Sequence, residues 1–213
     1  MKIYTTQFDG VLIIEPDVYT DARGSFQETW NWEQYNKICN KLLNPFVQDN
    51  ESWSGRGVCR GMHWQTWPMP QSKLVRCVKG KIYDIVLCLI KNSPDYGKYA
   101  AFELSDLNKR QIFIPRGYAH GFIAVGNENV VNYKVDNYWS PTHERCLNFT
   151  NLNLEALNIP ELPNLELNAS EKDVNGIMFD DLKDSDLFIY SEQELNELNI
   201  KLNTQQNNQS EEE

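Results

Sequence analysis

Between Gln48 and Gly80 the chain reads QDNESWSGRGVCRGMHWQTWPMPQSKLVRCVKG. This stretch holds His63, the only histidine in the first half of the chain, three residues after Arg60 and ten before Lys73. An imidazole titrates near neutrality and can take a proton at working pH. If the proton comes from carbon, the charge left behind collects on an adjacent carbonyl oxygen. A fixed cation in a dry pocket stabilises that charge, and one such group is typically worth about 10²–10³ in rate. Lys73, at the start of an alternating apolar run, is suited to this task. Inversion also needs an acid on the opposite face, and Tyr133, in NVVNYKV, is a candidate. On residue types alone a second reading stays open, in which the histidine is a satisfied polar group of a core and the tyrosine is packing.

Other chemistries fit less well. His63 and His120 on neighbouring strands invite a metal, but a barrel metal site needs three or four ligands, typically His-x-His, a nearby Glu and a further His. Here Trp64 and Gln65 follow His63, Lys73 would repel a cation, and His143 lies in a different loop. No metal and no cofactor are expected. There is no G-x-S-x-G, no glycine-rich phosphate loop, and no cysteine beside a histidine in sequence. Cys59 precedes His63 by four, so on a regular strand the two would share a face.

The elements that must position these groups read as β. From Phe46 to about Tyr138, runs of four to eight residues rich in Val, Ile, Tyr and Phe alternate with turn signals such as Gly55–Gly57, Lys79-Gly80 and Gly126-Asn127. Strands without intervening helices predict a mainly β, antiparallel jelly-roll barrel with a few short peripheral helices. KIYDIVLCLI reads as a central strand buried on both faces, so Asp84 within it needs a partner. Before this region two short strands flank Asp9-Gly10, DARG is a turn, and SFQETW returns as a strand. Residues 31–42 carry apolar positions at helical spacing behind a candidate N-cap, Asn31. After Pro141 the chain is Asn- and Leu-rich and predicts an irregular arm on the barrel. Ser191 and Glu194 form a capping box for a last helix, ahead of an acidic and disordered tail. The division expected is one barrel domain over 1–185, followed by helix and tail over 186–213.

The totals agree with a single domain: 213 residues, 41% hydrophobic and 12% aromatic. A net charge of −10 argues against a nucleic-acid partner. Arg56, Arg60, Lys73 and Arg76 still allow a pocket for an anionic small molecule. Five cysteines, an odd number with no CxxC, read as free thiols in a reducing compartment. With no apolar segment of signal-peptide or membrane-spanning length, a soluble, cytoplasmic protein is expected.

The stretches DARGSFQETW, FVQDNES, CRGMHWQ, QSKLVRCVKGKIYDI, NSPDYGKYAAFELS, KRQIFIPRGYAHGF, NYKVDNYWSPTHE and SEKD occur in unbroken order. In this the chain closely resembles the dTDP-4-dehydrorhamnose 3,5-epimerase family of the cupin superfamily. The resemblance implies a jelly-roll homodimer, without a catalytic metal, acting on a dTDP-linked 4-keto-6-deoxyhexose. It implies that His63 is the general base toward sugar C3 and C5, Asp173 its dyad partner, Lys73 the stabiliser of the enolate oxygen, and Tyr133 the acid on the other face. His120 would line the same pocket with Asp84 as its buried partner. Substrate binding would fall to Arg23, Glu28, Gln48, Asn50, Arg60, Lys73, His120, Glu144 and Lys172, with the segment around Arg23 and Glu28 supplied by the partner subunit. Arg60 and Lys172 suit an anionic diphosphate. Tyr138 or Trp139 could stack on the base or sugar, with packing as the other reading.

The chain departs from the family pattern in two places. Cys88 and Ile90 stand where the family usually carries an acidic and a basic residue, which reads as the repacking of a structural ion pair or, alternatively, as an altered substrate. NFTNLNLEALNIP replaces the usual tryptophan-containing pieces after the barrel. Three rival functions remain: an epimerase that inverts only C3 or only C5, a non-catalytic sugar-nucleotide binding barrel, and a 3,4-ketoisomerase of similar fold.

Overall fold

A computed structural model describes residues 1–39 and 44–192. The strands are β1 (Lys2–Thr5), β2 (Leu12–Glu15), β3 (Val18–Asp21), β4 (Gly24–Gln27), β5 (Gln48–Gly55), β6 (Val58–Gln65), β7 (Lys73–Lys79), β8 (Lys81–Cys88), β9 (Tyr99–Ser105), β10 (Gln111–Ile114), β11 (Tyr118–Ala124), β12 (Glu128–Val135), β13 (Glu144–Cys146) and β14 (Asn168–Ala169). Helix α1 is Trp32–Ile38 and α2 is Glu171–Val174. One sheet runs β1-β2-β10-β7-β12-β5 and the other β13-β6-β11-β8-β9, with β14 added parallel to β6. The remaining pairings are antiparallel, and β3–β4 is a separate hairpin. This is the expected cupin-type jelly roll.

Alternation sorts the side chains of the first sheet. Lys73, Val75, Ile112, Ile114, Tyr133 and Val135 share one face by register and look into the barrel. Leu12, Leu74 and Phe113 take the other face and meet Tyr35 of α1. Asn31 caps that helix as predicted, accepting from Gln34 N at 2.9 Å. The helix stops at Ile38, and the expected extension to Leu42 lies outside the described residues. Full burial of a ring such as Tyr35 stabilises the fold by roughly 1.5–3 kcal/mol, and its hydroxyl donates to Gln111 Oε1 at 2.8 Å.

In the second sheet β8 is buried on both faces. Its outer face is covered by the arm, which brings Leu147, Phe149, Leu152, Ile159, Leu187 and Phe188 into the core. The packed chain continues past residue 185, where a boundary was expected. Asp186 O accepts from Trp64 Nε1, Asp186 pairs with Arg145, and the backbone of Phe188 bonds to Leu89 and Lys91. Cys88 and Ile90 are core residues, and Ile90 bridges to Phe188 away from the inner cup. Glu194, the other half of the capping box expected with Ser191, and the acidic tail lie beyond Glu192, outside the described residues.

One irregularity decides which side chains of β6 face inward. His63 pairs with His120, but Arg60 pairs with Phe122, so two residues of β6 oppose Gly121 in a β-bulge. Arg60 and His63, three apart, therefore both point into the barrel. Cys59 pairs with Ile123 and turns to the opposite face. This corrects the expectation that Cys59 and His63 share a face. The bulge needs glycine on both strands. Gly61 has φ +102°, and a Cβ on Gly121 would lie 2.5 Å from Arg60 O and 2.8 Å from Met62 Sδ. Gly121→Ala is expected to cost about 1–3 kcal/mol of stability, the range for overpacking, as measured by urea denaturation. An unchanged midpoint would show that the strands can separate freely there.

Candidate active site

The inner faces of the two sheets enclose a cup of about 370 Å³, lined among others by Arg60, His63, Lys73, His120, Tyr133, Glu144, Lys172 and Asp173. That volume suits a small-molecule ligand. His63 Nε2 and Asp173 Oδ1 are 2.7 Å apart. The carboxylate comes from α2, which is set on β6 by its Ser170 N-cap. Ser170 Oγ donates to Asp173 Oδ2 at 2.7 Å and accepts from Asp173 N at 3.2 Å. Burial raises the Asp173 carboxyl, but the bonds from His63 and Ser170 outweigh it and hold it below the usual aspartate value. An ionised Asp173 can only accept, so Nε2–H donates to it and the ring's lone pair is on Nδ1.

From the opposite sheet Lys73 reaches across the cup. Its Nζ donates to His63 O at 3.1 Å and lies 3.5 Å from His120 Nδ1. Burial lowers the ammonium to about 8, against the pull of Asp84 and Glu144. His120 Nε2 is 2.8 Å from Asp84 Oδ2, and both residues are buried. Burial pushes His120 down, so the neutral ring donates from Nε2 to Asp84 and accepts on Nδ1 from Lys73. Burial also raises Asp84. Asp84 thus has the partner that its apolar strand demanded.

Tyr133 stands beside this pair, its ring centroid 6.5 Å from that of His120. Burial raises its phenol, so the hydroxyl keeps its proton at neutral pH. Arg60 lies at the rim, donating to Ser54 Oγ at 3.0 Å and to Trp53 O at 3.2 Å. Glu144 and Lys172 form an ion pair at 2.7 Å. Burial raises the Glu144 carboxyl, but Lys172 outweighs it and holds it low.

Not every expected residue converges here. Gln48 and Asn50 bond to each other on β5, on the register face of Tyr133, and Gln48 Oε1 accepts from Trp139 N at 3.0 Å. They stand beside the cup without lining it. Arg23 is 90% exposed in the β3–β4 hairpin and pairs with Asp21, while Glu28 accepts from Asn31. Both lie outside the cup of their own chain. Trp139 lines the cup and Tyr138 does not; His143 bonds to Ser140 in its loop. Arg56 donates to Val125 O, and Arg76 lies on the other face of β7. Ser52, Gln71 and Ser170 line the cup without having been singled out. Ser52 continues the alternation of Gln48 and Asn50, and Ser170 was legible as the cap in S-x-x-D.

A double-sheet jelly roll with an imidazole–carboxylate pair and a buried ammonium in its mouth defines a cupin-type barrel equipped for proton transfer. The sequence model of dTDP-4-dehydrorhamnose 3,5-epimerase matches residues 5–181, and the chain belongs to that family. A relative of that name from Shigella flexneri is 40% identical over 189 residues, covering 89% of this chain and all of the relative. One from Methanothermobacter thermautotrophicus is 48% identical over 143 residues, covering 67% of this chain and 76% of the relative. The crystal structure of the Legionella pneumophila dTDP-6-deoxy-D-glucose-3,5-epimerase, in complex with dTDP-4-keto-L-rhamnose, superposes with a TM-score of 0.81 at 33% identity. It covers 89% of this chain and 98% of its own.

Ser170→Ala removes the cap and one of the bonds to Asp173. Its unfolding free energy in urea is expected to fall by about 1 kcal/mol, with Ser170→Thr retaining most of it. Equal stability of the two variants and the parent would mean that the cap contributes nothing.

Proposed function

We propose that this chain inverts C3 and C5 of dTDP-4-dehydro-6-deoxyglucose, giving dTDP-4-dehydro-L-rhamnose, by proton transfer beside the C4 ketone with no metal or cofactor. The observation that carries this reading is the meeting of the His63–Asp173 pair with the buried Lys73 ammonium in one cup. The substrate class follows from the family and from the ligand of the Legionella relative.

In this reading His63 Nδ1 takes the proton from the carbon next to the ketone. Asp173, accepting from Nε2, orients the ring and stabilises the imidazolium. The electron pair moves onto the C4 oxygen, where Lys73 donates and offsets the developing charge. Tyr133 delivers a proton to the opposite face of the same carbon. His63 then loses its proton to water and Tyr133 regains one, which resets the site for the second centre. Arg60 and Lys172 hold the diphosphate at the rim, with Glu144 fixing Lys172 and Trp139 beside the nucleotide. His120 and Asp84 keep the Lys73 head aimed at the oxygen.

Arg23 and Glu28 fit this scheme from a second copy. The hairpin that carries Arg23 exposes Tyr19 and Phe26 by 65% and 70%, apolar area that a homodimer would cover. Gln48 and Asn50 then meet the same substrate from β5. Sedimentation equilibrium is expected to give twice the chain mass, and a monomer at assay concentration would remove the partner's contribution.

His63→Asn is expected to abolish turnover while calorimetric binding of dTDP persists. Tyr133→Phe is expected to wash deuterium out of C5-labelled substrate without inverting it, and loss of both together would count against its role as the acid. The active form of Lys73 is the ammonium. With its value lowered to about 8, kcat is expected to be level below that pH and to fall as pH rises through it. Lys73→Gln should lose about 10²–10³ in kcat together with that alkaline limb. A limb that survives in Lys73→Gln would assign it to another group.

A further inference from the structure

Cys146 has no part in the chemistry above, yet its thiol faces the pair that does it. Its Sγ lies 3.6 Å from Asp173 Oδ1, which is itself 2.7 Å from His63 Nε2. All three donor atoms fall within 4.8 Å of one another. They are held by three elements: Cys146 ends β13 directly opposite His63 on β6, and Asp173 comes from α2. Tetrahedral zinc binds nitrogen and oxygen at about 2.0–2.2 Å and thiolate sulfur at about 2.3 Å, which separates neighbouring donors by roughly 3.3–3.7 Å. The sulfur–oxygen pair already has that separation. The nitrogen–oxygen pair must open by well under an ångström, since the hydrogen bond between them is lost to the metal.

We propose that His63, Cys146 and Asp173 form a three-ligand site for Zn²⁺, with its fourth position open to the cup, and that occupancy switches the enzyme off. A Cys-His-carboxylate set with one free position favours zinc and excludes Mg²⁺, which rejects sulfur. The ion is an inhibitor here and not a cofactor, because it occupies the nitrogen that Asp173 needs in order to orient the base. That consequence rests on the reading of His63 as base; the site itself does not.

Binding moves two protons. The Cys146 thiol loses its proton to water as the Zn–S bond forms. The proton on His63 Nε2 shifts to Nδ1, so the ring loses the lone pair that faced substrate. Around the thiol stand Asp173 and Lys172 from α2, Glu144 from β13, and His63 from β6. Lys172 is paired with Glu144, and Lys73, the cation that counts against a metal between His63 and His120, is directed to the backbone oxygen of His63 and to His120 and not to the His63 ring nitrogens. The thiol proton is released as zinc binds, as for any metal-bound thiolate.

The experiment uses the full chain, stripped with chelator, and Co²⁺ as a spectroscopic probe in the absence of substrate. One equivalent of Co²⁺ is expected to give the thiolate-to-cobalt charge-transfer band together with visible bands of tetrahedral strength. Cys146→Ser and Cys146→Ala, each checked for folding by circular dichroism, are expected to lose the charge-transfer band. Absence of the band in the parent chain, or its persistence in both variants, overturns the site. In a second arm, Zn²⁺ should abolish epimerisation, chelator should restore it, and Mg²⁺ should do nothing. Measured against its own metal-free rate, Cys146→Ser should need at least the roughly 10–100-fold more Zn²⁺ that loss of even an outer partner costs. A parent chain that binds Co²⁺ with the thiolate band yet turns over unchanged in saturating Zn²⁺ overturns the inhibition. Because the spectra need no turnover, a chain without epimerase activity would still answer the first arm.

Discussion

The structure turns on a positive charge held where water is scarce. Lys73 is 7% exposed, and its ammonium sits between the carbonyl of His63 and the ring of His120. An unpaired charge in such a place is costly unless neighbouring dipoles and charges compensate it. Compensation comes from the charges of Asp84 and Glu144 and from the dipoles in contact with the ammonium. Asp84, wholly buried on the central strand, bonds to His120, and the neutral ring passes that pull to Lys73 through its other nitrogen. The ammonium stays largely charged at neutral pH, yet is poorly solvated.

Two aspartates in one barrel take opposite settings for reasons of environment. Asp173 has a capping serine and an imidazole on its oxygens and is held low. Asp84 has a single bonded oxygen in a dry core and is pushed up. One serves as a fixed anion behind His63; the other tunes a cation from below. Groups whose surroundings drive them apart are the usual sign of divided acid–base roles. The two arrangements meet at β6, whose bulge lets His63 and Arg60 face the same cavity and whose carbonyl receives Lys73.

Much of this was readable before any coordinates. Residue type offered Lys73 and Tyr133 as candidates, and the apolar run around Asp84 demanded a buried partner for it; the shared face of Lys73 and Tyr133 comes from the register of β7 with β12. Period-two reading failed at CRGMH, because a bulge shifts the count by one and no residue type announces it except the glycines. The distance from His63 to Asp173 along the chain hid their pairing from any local argument, and only the resemblance to a family connected them. The last packed segment was legible from neither source. Leu187, Phe188 and Tyr190 look like the approach to a helix, but they complete the wall over β8 because the core lacks cover there. Arg23 and Glu28 follow the opposite case: their place in the site is an expectation of the resemblance, and one chain alone leaves them outside it.

Double epimerisation in this cup requires that protons leave both carbons flanking the ketone and that protons from solvent replace them. The most direct measurement is the wild-type reaction in D₂O, followed by proton NMR of the dTDP-linked product. Deuterium at both C3 and C5, with inversion at each, is the predicted result. Deuterium at one centre alone, or inversion with the original hydrogen retained, would contradict it.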